Sequence, residues 1–187
     1  MDPVLIVVVV AAVVLVVGVV LVVVARSRSR SRRAALRSQF GDEYDRVVGE
    51  YGTRDGEKEL RARLKRRREL EVRELDGGER DRFGQAWESA QSSFVENPST
   101  GLRDADLLVQ QVMRERGYPV ERFEERAKMI SVDHPDLVER YRSAHRTSTD
   151  VEEGTAGTED MRQAMVDQRY LFDALLGGGD AARTRRM

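Results

Sequence analysis

"DGGERDRFGQAWESAQSSFVENPSTGLRDADLLVQQVMRERG", Asp76 to Gly117, decides the fold. Asp76 and Glu79 stand at capping-box spacing, in which the two side chains satisfy each other's free backbone N–H groups at a helix start. Phe83, Trp87, Ala90 and Phe94 then recur at steps of four, three and four, which is one helical face. An aromatic stripe of this kind is core. Asn97-Pro98 closes that helix and opens another, with Asn97 as N-cap and Pro98 in the first turn, where no N–H is required. Ala105, Leu108, Val109 and Val112 share its inner face. Gly117-Tyr118-Pro119 stops it, because glycine accepts a left-handed conformation and proline cannot continue a helix.

The same period extends in both directions, and no run alternates with period two. Downstream, Val120, Phe123, Ala127 and Ile130 form another apolar face. "SVDHPDLVERYRSAH" predicts a helix starting near Pro135 that buries Leu137, Val138, Tyr141 and Ala144. Residues 147–157 are polar and read as an internal loop. A last helix, Thr158 to Leu176, presents Met161, Met165, Gln168, Leu171, Phe172 and Leu175, and residues 177–187 read as a disordered tail. Upstream, Phe40 to Tyr51 predicts a short helix with Tyr44, Val47, Val48 and Tyr51 on one side. Asp55 to Leu75 predicts a charged, solvated helix making a thin contact, in the manner of a hairpin arm, braced by Glu57–Arg61 and Glu59–Arg63. Its apolar stripe breaks across Lys65 to Arg68. The expectation is an all-α chain: one helical domain over 39–176, behind an N-terminal transmembrane helix, with about five to seven helices in the bundle.

The transmembrane reading rests on Val4 to Val24, 21 residues without a charge or hydrogen-bonding side chain, 14 of them valine. At helical rise that run is about 31 Å long, the thickness of a bilayer's hydrocarbon. A secretory signal would open on basic residues and end on a small-x-small cleavage site, and neither is present. Gly18 has Val14 and Val22 four residues away, so the run carries no small-xxx-small dimer seam. Residues 1–25 therefore read as an anchor and 26–38 as a basic juxtamembrane linker. Arg26, Arg28, Arg30, Arg32, Arg33 and Arg37 follow the run and only Asp2 precedes it, which predicts the N-terminus outside and the helical domain in the cytoplasm. The same arginines are a candidate contact for anionic lipid headgroups. Ser27, Ser29 and Ser31 lie between them, where phosphorylation would weaken that contact.

From Ser38 onward 26 basic residues face 32 acidic ones, so the body lacks the net basic charge of a nucleic-acid binder. The chain has no cysteine, which removes disulfides, thiol nucleophiles and cysteine metal sites. Its two histidines supply the best catalytic candidates, Asp133, His134 and His145. Two imidazoles and a carboxylate suit acid–base work, yet His134 and His145 would stand about 16 Å apart along a helix, too far to share one ion. Asp-His-Pro is also a natural helix start, with Asp133 or His134 as a cap. No glycine-rich phosphate loop, nucleophile elbow, H-E-x-x-H or di-iron E-x-x-H pattern occurs, so no metal or cofactor is expected.

"FGDEYDRVV", "MRERGYPVERFEERAKMISVDHPDLVERYRSAH" and "TEDMRQAM" resemble segments of a family of small single-span membrane or secreted proteins from high-GC Gram-positive bacteria. The resemblance covers about Gln39 to Leu176 and implies membrane attachment. The family has no assigned activity, so no catalytic residue carries across. The expected role is a membrane-tethered module that engages a protein partner or a second copy of itself, with no nucleic acid. The alternatives are a membrane-bound enzyme using Asp133, His134 and His145, and an anionic-lipid sensor using the arginine cluster with Arg183, Arg185 and Arg186.

Overall fold

The computed structural model describes Gly18, Val20, Arg26, Ser27 and residues 30–177. These residues hold seven helices and no strand. The chain divides into two compact units, 1–39 and 40–187. In the first, the described residues from 30 onward are helical. The Val4–Val24 run lies outside the described residues apart from Gly18 and Val20, as do Arg28, Ser29 and residues 178–187 of the expected tail. Among the described residues no helix is long and apolar enough to cross a membrane.

The second unit contains α1 (Asp42–Glu69), α2 (Gly77–Glu96), α3 (Pro98–Glu115), α4 (Phe123–Asp133), α5 (Val138–Glu152) and α6 (Thr158–Leu175). The all-helical expectation holds. α2 and α3 are the pair foreseen: Asp76 and Glu79 complete a capping box, and the Asn97 side chain accepts from the Thr100 N–H at 3.2 Å. Replacing Asp76 with alanine is expected to lower stability by about 1 kcal/mol, read by thermal unfolding. Phe83, Trp87 and Ala90 are buried with Leu102, Ala105, Leu108, Val109 and Val112 in one core, which α6 closes. Trp87 stacks on Phe172 of α6 with ring centroids 4.7 Å apart.

Three boundaries differ from expectation. Residues 147–152 are not loop but the last turns of α5, so the loop shrinks to the Glu153–Gly157 turn. Polar Thr and Ser there are tolerated because Ser148 and Thr149 hydroxyls donate to carbonyls one turn back. α5 begins at Val138, not Pro135. The helix expected over Asp55–Leu75 ends at Glu69, and residues 70–76 cross the end of α3 as extended chain. Arg73 N–H donates to the Arg116 carbonyl at 3.0 Å, and Arg116 Nε returns a bond to the Arg73 carbonyl. Leu75 is buried in the core at the end of this strap.

α1 is broken into two arms. Gly52 sits inside it at φ 77, ψ 163, a conformation open almost only to glycine. The chain reverses there. Tyr44 OH donates to Glu57 Oε1 at 3.2 Å, and Arg63 Nη1 donates to Glu43 Oε1 at 2.7 Å. A Cβ on Gly56 would lie 3.0 Å from the Val47 carbonyl oxygen, so the arms touch through backbone. The hairpin's buried Phe40, Tyr44, Val47 and Leu60 stand outside the main core cluster. Gly52→Ala should cost about 1–3 kcal/mol, measured as loss of amide protection over residues 42–69.

Candidate functional site

Charged groups cross from the hairpin to the bundle. Glu43 is 2% exposed and accepts from three arginines. Arg46 bonds it through Nε and Nη2 at 2.8 and 2.9 Å, Arg63 through Nη1 at 2.7 Å, and Arg142 of α5 through Nη1 and Nη2 at 2.7 and 2.9 Å. Burial by itself would raise the Glu43 carboxyl; bonds from Arg46 and Arg142, the Arg142 charge and the bond from Arg63 outweigh it and hold the group at about 2. The excess positive charge is balanced outward, through Glu50 on Arg46, Glu59 on Arg63 and Glu139 on Arg142. Arg63 also donates to Ser131 on α4 at 3.2 Å. Arg66–Glu125 and Lys128–Glu59 add two more partly buried bridges between the hairpin and α4, at 3.1 and 3.7 Å.

The expected solvated face of the second arm is therefore corrected in part. Glu57 and Arg63 are buried, and the predicted Glu57–Arg61 and Glu59–Arg63 pairs are present. The signal for this lies in the sequence: the inner seam Gly56, Leu60 continues at helical spacing as Arg63 and Arg67. Here the apolar seam passes into arginines that dock on Glu43 and Asp133.

Asp133 does not cap a helix. It is the last residue of α4, and its Oδ2 accepts from Arg67 Nε and from Tyr118 OH, both at 2.5 Å. The Arg67 and Arg116 guanidiniums each lie over the Tyr118 ring, 5.6 and 5.7 Å from its centroid. Burial and then the Asp133 carboxylate push the Tyr118 hydroxyl well above its ordinary range. α5 starts instead on Leu137 with no side-chain cap, and the His134 backbone closes the α4–α5 turn through Ile130 and Leu137.

His145 takes a separate position, stacked on Phe123 with centroids 3.7 Å apart. Burial lowers its pKa. Beside it Tyr141 OH accepts from the buried Arg126 Nε at 2.7 Å, and burial raises Tyr141 to about 12. Asp133 and His134 stand together at the end of α4, with the Asp133 carboxylate occupied by Arg67 and Tyr118, while His145 stacks on the first residue of that helix. Among the described residues no group of three or more His, Cys, Asp or Glu is placed to hold a metal ion. A cleft of about 50 Å³ between α3 and α5 is lined by Ser99, Leu102, Arg103, Asp106, Ser148, Val151 and Glu152. That is room for water, and far below the few hundred Å³ of a typical small-molecule site.

In the first unit Arg26, Arg30, Arg32, Arg33 and Arg37 are exposed. No protein-family profile, no curated protein and no solved structure matches this chain.

Proposed function

We propose that the chain is a membrane-tethered helical interaction module, held by Val4–Val24 with the N-terminus outside and the body in the cytoplasm, where it engages a protein partner or a second copy of itself. The observation that carries this reading is the abrupt division of the chain: 21 uncharged residues and six arginines, then a folded unit from Phe40 onward. The resemblance to single-span proteins of high-GC Gram-positive bacteria supports the tether. The candidate acid–base residues favour an internal role, since Asp133 is engaged by Arg67 and Tyr118 and His145 by Phe123.

The test is in-cell crosslinking of the tagged full chain at native expression, with fractionation of membranes. Recovery in the membrane fraction with a reproducible partner, lost when the body but not residues 1–25 is deleted, is the expected result. A chain recovered in the soluble fraction removes the tether. Activity lost in His134→Ala or His145→Ala chains that keep their fold and their crosslinks would replace the module with an enzyme.

A further inference from the structure

The outer side of the hairpin's second arm carries a feature that neither docking nor packing uses. Arg54, Lys58, Arg61, Lys65 and Arg68 follow one another at steps of four, three, four and three, and all five are exposed. At helical pitch they fall on one narrow stripe about 21 Å long. The stripe lies opposite the seam of Gly56, Leu60, Arg63 and Arg67, which faces the first arm and α4. Arg61 pairs with Glu57 at 2.7 Å, and Lys65 reaches Glu69 only at 3.9 Å, with its side chain 81% exposed. Arg54, Lys58 and Arg68 are in no ion pair among the described residues. Like charges at these spacings repel along a helix, and here they do so on a body that is acidic in balance. A continuous cationic rail on such a body fits an external polyanion.

We infer that this rail is a docking surface for anionic phospholipid headgroups, so that the membrane-held chain lays the outer arm of its hairpin against the leaflet. The inference rests on the tethered reading of Val4–Val24. Phosphodiester headgroups match the rail in charge and in their tolerance of an irregular row of cations. The tether makes the encounter intramolecular, which lets a handful of solvated charges suffice where free binding would be weak. The rail begins 30 residues beyond Val24. Duplex nucleic acid offers similar charge, but nothing in the chain concentrates it there.

The full chain has no cysteine, so Ala62→Cys, exposed on the flank of the rail, places one spin label. The labelled chain is inserted in nanodiscs of phosphatidylcholine alone and in nanodiscs rich in phosphatidylglycerol. Accessibility to a water-soluble nickel relaxant should fall several-fold in the anionic discs only. High salt should restore it, as should Arg54→Gln, Lys58→Gln, Lys65→Gln and Arg68→Gln combined, in a chain whose helix content is unchanged. Equal accessibility in both discs, with the chain inserted, overturns the rail and leaves the tether standing. A chain that inserts in neither disc overturns both. Protection of the label by duplex DNA but not by anionic discs reassigns the rail to nucleic acid and overturns the lipid proposal.

Discussion

A Glu43→Gln chain loses the hairpin while keeping the bundle. The substitution preserves shape and removes the one charge on which Arg46, Arg63 and Arg142 converge. Arg63 and Arg142 are nearly buried, with side chains 4% and 12% exposed, so each keeps only its outer partner, Glu59 or Glu139, against a charge held away from water. Breaking a buried pair in this way costs about 3–5 kcal/mol, a hundredfold or more in local opening. Hydrogen exchange over residues 42–69 should accelerate by that factor while the environment of Trp87, the single tryptophan, stays native. Protection unchanged over 42–69 would refute the ionic attachment. Acid acts on the same group. Glu43 titrates at about 2 in the folded chain against an ordinary 4.5. A carboxyl lowered on folding contributes its stabilisation fully above the ordinary value, and that contribution disappears as pH falls through the folded one. Hairpin protection should therefore decline below pH 4.5 and lose about 3 kcal/mol by pH 2.

Gly101→Ala attacks the bundle instead. Gly101 lies in the first turn of α3, where the chain has just reversed at Asn97, and its Cα faces the backbone of α2. An added Cβ would stand 2.3 Å from both Cα and N of Phe94. No rotamer relieves a clash with backbone, so α2 and α3 must separate at the point where the capped turn holds them together. The expected loss is about 3 kcal/mol or more, at the upper end for overpacked cores. Thermal unfolding followed by Trp87 fluorescence measures it. Gly84→Ala supplies the contrast: it is also helical, nothing lies within 4 Å of its Cβ, and alanine there should raise stability by up to about 1 kcal/mol. A Gly101→Ala chain as stable as its parent would mean that the α2–α3 turn is looser than its geometry.

The elements legible in the sequence were those specified locally. Asp76 and Glu79, Asn97 and Pro98, and the Phe83–Trp87–Ala90 stripe each act within a few residues, and each does in the fold what its spacing implies. The hairpin was half legible. Two arms could be read, but the burial of Arg63 depends on Glu43, twenty residues back, and on Arg142 of α5. Asp133 was misread for the same reason. Next to His134 and Pro135 it has the grammar of a cap, whereas Arg67, 66 residues away, and Tyr118 claim its carboxylate. Charge pairing over such distances leaves no period in a sequence. The residues 147–157 fail differently: polarity marks exposure, and an exposed helix end is as polar as a loop.

The order of the pieces along the chain sets a load path. Tension applied at the N-terminus enters the body through Phe40 and meets the hairpin before anything else. The hairpin's arms run back on each other, so a pull on the first arm is resisted at Glu43 by Arg63 and Arg142 together. These contacts, with those from Arg63, Arg66 and Arg67 to α4, lie on the hairpin's side of the molecule and are loaded before α2 and α3. Beyond the hairpin the strap over residues 70–76 is buried at Leu75 and bonded to Arg116, so it anchors the chain to the core before α2 begins. Pulled from that end, the molecule is expected to lengthen first by the hairpin and to lose its fold afterwards, as two separate rips in a force–extension trace.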